Sequence, residues 1–202
     1  MERFRSFSTP SHHEQSDADK GIIYACSIAV AGEAAGHQLI FDQTTLRQLL
    51  DIGNKRDAGI KSRFTHPGLS EDGLGKFLGR MRNFRLKSAS SAQSTVQSAS
   101  SAQSAESAVL VGDLYLSSSS ANTPNGNLRD YLLTLAKEDP AAFGISVVVD
   151  LEQFWIDLAG KETPTKEPKP DKTLYKYPVA RILSFVAADA VDEPALNPAG
   201  LF

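Results

Sequence analysis

The chain has 202 residues, 41% hydrophobic and 22% charged, which is ordinary for one globular domain with its own core. Its net charge of −3 argues against a nucleic-acid-binding protein, which would carry a basic stripe. The single cysteine, Cys26, excludes an intrachain disulfide and a cysteine-rich metal site. No apolar stretch approaches the roughly 18 residues of a membrane helix, and residues 1–20 lack the apolar core of a secretory signal. We therefore expect a protein of the cytoplasm that is not secreted.

The N-terminal third predicts a leader followed by strands and one helix. Residues 1–20 have no periodicity and are expected to be a disordered leader, so the domain would comprise residues 21–202. Residues 22–30 and 39–41 have the composition of strands. Asp42 is a suitable N-cap for a helix that carries Leu46, Leu49 and Leu50 and ends at Gly53. Residues 60–65 read as a strand that delivers His66 at its end.

The middle of the chain contains a low-complexity insertion. Residues 70–78 predict a short helix, although Gly73 and Gly75 weaken it. Residues 87–107 are rich in Ser and Ala, and one heptapeptide of residues 88–94 recurs at residues 98–104. Such a segment buries too little apolar surface to offset its ordering entropy, so we expect a flexible insertion. A strand over residues 109–116 and a helix capped by Asn127 and ended by Pro140 follow.

The C-terminal third is dominated by predicted strands. Residues 143–149 form an apolar, β-branched run that is typical of a strand buried on both faces, with Ser146 in its middle. Residues 161–172 carry three prolines and many charges and predict an exposed loop, and residues 174–190 are rich in strand formers. About seven strands and three helices result. These elements fit a small β-barrel or sandwich with helices around it. We predict the α+β class, as a small, mostly antiparallel β-barrel with surrounding helices.

Ser146 and His66 are the best candidates for a nucleophile and its base. A serine hydroxyl needs a nearby imidazole to accept its proton, and the imidazole needs a third group to orient it. His12 and His13 lie in the predicted leader and His37 in a turn, where they would lack a rigid frame. Two plainer interpretations stay open: a core serine bonded to a carbonyl, and a turn histidine before Pro67. The strand around Ser146 lacks the second glycine of a nucleophile elbow, which disfavours an α/β-hydrolase.

The third catalytic residue has two candidates, Asp189 and Asp192. Asp189 lies among small apolar residues of a predicted strand, where a carboxylate is costly to bury unless it is paired. That setting suits a partner for a histidine N–H, so Asp189 is preferred. Asp192 begins the turn at Pro194 and is expected to be solvated.

Around Ser146, a transition-state oxyanion would be stabilised by backbone N–H groups or by an arginine-held water. Arg80, Arg82 and Arg181 are the candidates, each also explained as a surface charge. Gly144 would leave room for a substrate backbone to approach. The sequence has no residues with the spacing of metal ligands, and it has no phosphate-binding loop. We therefore expect no cofactor and no metal.

Three separated segments resemble one family. Residues 63–70 (RFTHPGLS) with 72–80 (DGLGKFLGR), residues 139–146 (DPAAFGIS) and residues 191–195 (VDEPA) resemble, in the same order, the histidine region, nucleophile strand and closing segment of tailed-phage head maturation (prohead) proteases. The resemblance implies an assemblin-like fold. It also implies a serine endopeptidase with a carboxylate as third residue, since no histidine follows Ser146.

The same resemblance implies the biology of the chain. Its substrates would be phage scaffold protein, a segment of the major capsid protein and the protease itself, cut inside the assembling prohead in the host cytoplasm. A homodimer is possible, and no nucleic acid or membrane partner is expected. The alternative function is a non-catalytic capsid-assembly or scaffold-binding protein that keeps the protease fold. A distance between Asp189 and His66 far beyond the roughly 3 Å of a hydrogen bond would favour that alternative.

Overall fold

The computed structural model describes residues 16–65, 75–88, 108–197 and 200–202. Two α-helices occur in these ranges, α1 (Gln43–Asn54) and α2 (Leu128–Glu138), with a short 3₁₀ helix at Ser118–Ala121. The same ranges contain ten strands: β1 Ser16–Asp17, β2 Ile22–Val30, β3 Gly32–Ala34, β4 Leu39–Phe41, β5 Ile60–Arg63, β6 Phe77–Ser88, β7 Ala108–Leu116, β8 Gly144–Ile156, β9 Glu162–Pro164 and β10 Val179–Val191.

All ten strands belong to one mixed sheet, whose main path runs β1-β2-β7-β6-β5-β10-β4-β3. β10 is the hub of this sheet. It pairs antiparallel with β8 along most of its length, and parallel with β4 at Val179 and with β5 at Ala187. β9 extends the sheet beyond β8 through three residue pairs.

The predicted barrel of about seven strands with surrounding helices is wrong. The described sheet is open, because its path ends at β3 and at β1 and these strands do not pair with each other. The chain is mostly β, with two α-helices in the described residues, so it is only weakly α+β. Several strands are only two to four residues long, and such short strands are hard to distinguish from turns by composition.

Several local predictions are confirmed. β2 has the predicted bounds, and Asp42 caps α1 by accepting a hydrogen bond from the Thr45 N–H at 2.8 Å. Leu46 and Leu49 of α1 are fully buried in the core. Asn127 likewise caps α2, since its side chain accepts from the Asp130 N–H.

Four local predictions need correction. Phe77 and Leu78 begin β6 and are not helical, while residues 66–74 lie outside the described residues. From Ser146 to Trp155 the residues of β8 are partly buried or exposed, so this strand is not buried on both faces. Lys87 and Ser88 still belong to β6, and residues 89–107 of the predicted insertion lie outside the described residues. Of the predicted leader, Ser16–Asp17 form β1 on β2, and residues 1–15 lie outside the described residues.

Asp113 of β7 holds the bulges of both neighbouring strands. The register shifts between Ile23 and Cys26 on β2, and between Arg82 and Arg85 on β6. Asp113 is 6% exposed, and its side chain accepts hydrogen bonds from groups at these bulges: the Ala25 N–H at 2.9 Å, the Asn83 Nδ2 at 3.0 Å and the Arg85 Nη1 at 3.1 Å. One carboxylate therefore fixes the alignment of three strands.

Replacement of Asp113 by alanine is expected to lower the free energy of unfolding by about 3 kcal/mol, because partly buried donors at both bulges lose their acceptor. Urea denaturation followed by circular dichroism measures this change. The matched control is Asp171→Ala, at an exposed position, with an expected change within about 0.5 kcal/mol. Equal effects of the two substitutions would contradict the role of Asp113.

Candidate functional site

Ser146 and Asp189 are direct cross-strand neighbours. Ser146 lies near the start of β8 and Asp189 near the end of β10, and the antiparallel register pairs them. Paired residues of antiparallel strands have Cα atoms roughly 5 Å apart and side chains on the same face of the sheet. The two predicted site residues are therefore brought together by the longest strand pairing of the fold.

Asp189 is fully buried and bound by Arg63 of β5. Its carboxylate accepts from the Arg63 Nε at 3.0 and 3.1 Å and from the Nη2 at 2.5 Å. The backbone N–H of Arg63 donates to the same carboxylate at 3.0 Å. A buried carboxylate is tolerated when it is paired and hydrogen-bonded, and this one is held by both the side chain and the backbone of a single residue.

The chain leaves β5 next to this ion pair. The Phe64 N–H donates to the Lys76 carbonyl at 2.7 Å, and the Thr65 N–H donates to the Ala190 carbonyl at 2.8 Å. Thr65 has a φ of +61°, a rare conformation for a β-branched residue and one that functional sites sometimes hold under strain. His66 follows Thr65 in the sequence but lies outside the described residues.

A cleft of about 510 Å³ opens at Ser146. Among the described residues, its polar lining comes from Ser146, Arg63 and His37, and the rest of its wall is apolar. The apolar lining comprises Ala34, Leu39, Phe41, Val147, Val148, Val149, Leu151, Ala195 and Leu196. Successive side chains of a strand point to opposite faces, so a cleft that touches four consecutive residues of β8 follows the edge of the strand.

The space at Gly144 is taken by the chain itself. A Cβ at this position would approach the Pro194 side chain to 2.7 Å and the Gly200 carbonyl oxygen to 3.3 Å. Gly144 therefore lets the C-terminal segment pack against the start of β8. The expectation that it leaves room for a substrate backbone is wrong.

Asp192, the alternative third residue, is exposed and follows β10. It lines a different pocket, of about 250 Å³, together with Thr65 and Val191. Of the two carboxylates, only Asp189 is paired with Ser146 across the strands.

The three predicted arginines do not line the Ser146 cleft. Arg80 and Arg82 donate to the carbonyls of Gly59 and Ala58. Arg181 lies eight residues before Asp189 on β10, roughly 25 Å along the strand.

Arg181 is held in an ion network, paired with Asp42 at 3.0 Å and with Glu162 at 2.5 Å. Burial by itself would lower the pKa of Arg181, but the hydrogen bonds and charges of Glu162 and Asp42 raise it overall. This arginine therefore remains charged and joins β9, β10 and the start of α1.

Two residues that line the cleft, Arg63 and His37, are not among the site residues predicted from the sequence. Arg63 belongs to the histidine segment, and its partly exposed side chain follows the fully buried Ser62 at the end of β5. His37 was set aside for lack of a rigid frame. No sequence signal links His37 to Ser146, because their proximity depends on where the β3–β4 hairpin lies in the sheet.

Other reactive groups lie apart from the cleft. Cys26 is fully buried, and burial raises the pKa of its thiol to about 12, so the thiolate form is suppressed. In the part of the chain that the structure describes, no three His, Cys, Asp or Glu side chains group as metal ligands would. None of the described helices has the length and apolar character needed to cross a membrane.

No protein-family model, curated protein or solved structure matches this chain. Inferences about its activity therefore depend on its own residues and their geometry.

Proposed function

We propose that this chain is a serine endopeptidase of the kind that matures phage heads. Ser146 is the nucleophile, His66 the general base and Asp189 the residue that orients the histidine. The observation that carries the proposal is the direct pairing of Ser146, which lines a cleft, with the buried Asp189. The residue after Asp189, Ala190, accepts a hydrogen bond from Thr65, which precedes His66 in the chain.

The chemistry follows from the roles of the three residues. The Ser146 Oγ attacks the scissile carbonyl carbon while its proton passes to the imidazole of His66. The imidazolium then gives that proton to the leaving amine, and the C–N bond breaks to leave an acyl-enzyme. Water, activated by the same imidazole, hydrolyses the ester and restores the Ser146 hydroxyl.

In the proposed mechanism Asp189 acts on the imidazole of His66 while Arg63 holds the carboxylate through its Nε, its Nη2 and its backbone N–H. Arg63 would fix the rotamer of the carboxylate, and Asp189 would stabilise the imidazolium that forms during attack.

The edge of β8 favours a polypeptide substrate. On the side away from β10, β9 pairs only with Phe154–Ile156 among the described residues. The preceding part of β8 borders the cleft through Ser146–Val149 and Leu151. An extended peptide would add to this edge as a further strand, with main-chain hydrogen bonds that hold its scissile bond near Ser146.

The resemblance of the three sequence segments suggests which polypeptides are cut. These are phage scaffold protein, a segment of the major capsid protein and the protease itself, inside the assembling prohead in the host cytoplasm. The open sheet differs from the fold that the resemblance implied, so this support comes from the motifs alone. A homodimer is compatible with the proposal but is not required by it.

A non-catalytic capsid-assembly protein is the second candidate, and one observation favours it. The Arg63–Asp189 pair is sufficient by itself to explain a buried carboxylate, because Arg63 compensates its charge. In that case Ser146 would be an ordinary strand residue, and a scaffold segment would bind in the cleft without being cut.

Co-expression with the cognate scaffold and capsid proteins tests the proposal. Wild type, Ser146→Ala and His66→Ala are compared by intact mass spectrometry of all products. Cuts that occur with wild type and disappear with both variants would support the endopeptidase. Assembled shells with the same uncut masses in all three samples would overturn it in favour of the non-catalytic role.

A further inference from the structure

His37 has a fixed position in the fold. It lies in the turn between β3 and β4, strands that are aligned by three residue pairs from Gly32–Phe41 to Ala34–Leu39. The His37 N–H donates to the Ala34 carbonyl at 3.0 Å, and the Ala35 N–H donates to the Ala195 carbonyl at 2.9 Å. The turn is thereby attached both to its own hairpin and to the C-terminal segment.

The imidazole of His37 is a donor at the wall of the Ser146 cleft. The residue is exposed, and its ring makes no hydrogen bond to any residue that the structure describes. The described lining of the cleft contains no Asp or Glu, and the other basic residue, Arg63, is paired with Asp189. A substrate group that enters the cleft therefore meets the His37 ring as a nitrogen donor, in a wall that is apolar apart from His37, Arg63 and Ser146.

We infer that His37 selects an acidic side chain of the polypeptide substrate at one fixed position beside the scissile bond. The inference rests on the proposed function, because it names the specificity of the same cleft. A carboxylate is the side-chain group that a histidine N–H, neutral or protonated, binds best. Uncharged positions of the substrate would contact the apolar wall formed by residues such as Leu39, Phe41 and Leu196.

Strand geometry limits the selection to one position. Side chains of an extended peptide point alternately to opposite sides, at roughly 3.3 Å per residue. A peptide on the β8 edge therefore presents only alternate side chains to the hairpin wall, and the single turn that carries His37 meets one of them. The expected cleavage motif has one acidic position, without a general preference for acidic peptides.

A peptide library tests the inference without a known substrate. Peptides from a digested bacterial proteome are incubated with wild type, His37→Ala and His37→Glu, and the cleaved bonds are identified by mass spectrometry. We expect wild type to favour Asp or Glu at one position about fivefold, the size of effect expected for one solvent-exposed hydrogen bond to a carboxylate. His37→Ala should lose this preference, and His37→Glu should favour Lys or Arg there.

The control variant is Gln38→Asn. Gln38 lies in the same turn with a φ of +51°, which asparagine tolerates, and it does not line the cleft. This variant should keep the wild-type preference. Two results would overturn the inference and leave the proposed function intact. One is an unchanged acidic preference in His37→Ala, and the other is cleavage by wild type of peptides that show no preference for Asp or Glu at any position.

A binding assay separates failure of the inference from failure of the proposed function. The same library is passed over immobilised Ser146→Ala protein and over the Ser146→Ala, His37→Ala double variant. Retention of acidic peptides by the first protein only, with no cleavage by wild type, would support His37 and overturn the peptidase. If acidic peptides are not retained and wild type cleaves nothing, both the inference about His37 and the proposed function are overturned.

Discussion

Replacing Ser146 with alanine is expected to reduce cleavage by at least about 10⁴-fold in kcat/KM. Removal of the nucleophile of a serine protease leaves only the rate enhancement that comes from binding and from stabilisation of the oxyanion. Ser146 is half-exposed on β8, so loss of its hydroxyl should not disturb the core, and the unfolding midpoint should remain at its wild-type value. Initial rates on a peptide that contains an identified cleavage site measure the effect.

The matched control for this prediction is Ser184→Ala. Ser184 lies on β10, pairs with Asp150 of β8 and donates its hydroxyl to the Asp150 carboxylate at 2.5 Å. It is a serine of the same sheet that does not line the cleft at Ser146. The control should cleave at the wild-type rate. Residual activity of the Ser146 variant near the control's level would exclude Ser146 as the nucleophile.

Removing the side chain of Arg63 is expected to lower the free energy of unfolding by about 3 kcal/mol. Asp189 is fully buried, and Arg63→Ala would leave its carboxylate without the paired guanidinium. Breaking one side of a buried ion pair usually costs about 3–5 kcal/mol, and the low end applies because the Arg63 side chain is 16% exposed. Urea denaturation of the purified protein measures the loss.

A double-mutant cycle tests whether this loss comes from the ion pair. In an Asp189→Ala background the additional cost of Arg63→Ala should fall below about 1 kcal/mol, because no buried charge is then left unpaired. Lys61→Ala serves as the control, since Lys61 lies on the same face of β5 and is only partly buried. An equal cost of Arg63→Ala in both backgrounds would mean that Arg63 contributes through packing and not through Asp189.

The sequence predicts the local elements better than the sheet they form. β2 and α1 have strong local signals, namely a β-branched run and an aspartate cap before a leucine stripe, and both form as predicted. Closure of the sheet depends on which strands pair, and the parallel pairing of β10 with β4 and β5 joins residues more than 120 positions apart. Composition carries no information about such pairings, which is why the predicted barrel differs from the observed open sheet.

The candidate site shows the same limit. A serine and an aspartate within apolar strand patterns are visible in the sequence, and the register of β8 on β10 then pairs them. The arginine that compensates Asp189 was overlooked, although the cost of burying a carboxylate requires a partner. His37 could not be found, because its place at the cleft follows from a hairpin that lies over 100 residues away from Ser146.

Labelling with a fluorophosphonate probe tests the central claim most directly, because the probe forms a covalent bond with an activated serine and requires no known substrate. Intact mass spectrometry counts the adducts, and peptide mapping locates them. We predict one adduct on Ser146 in the folded wild type and in Ser184→Ala, and none in Ser146→Ala, His66→Ala or urea-unfolded protein. An adduct on another serine, or an unlabelled Ser146 in folded protein that cuts its substrates, would contradict the assignment of Ser146 as the nucleophile.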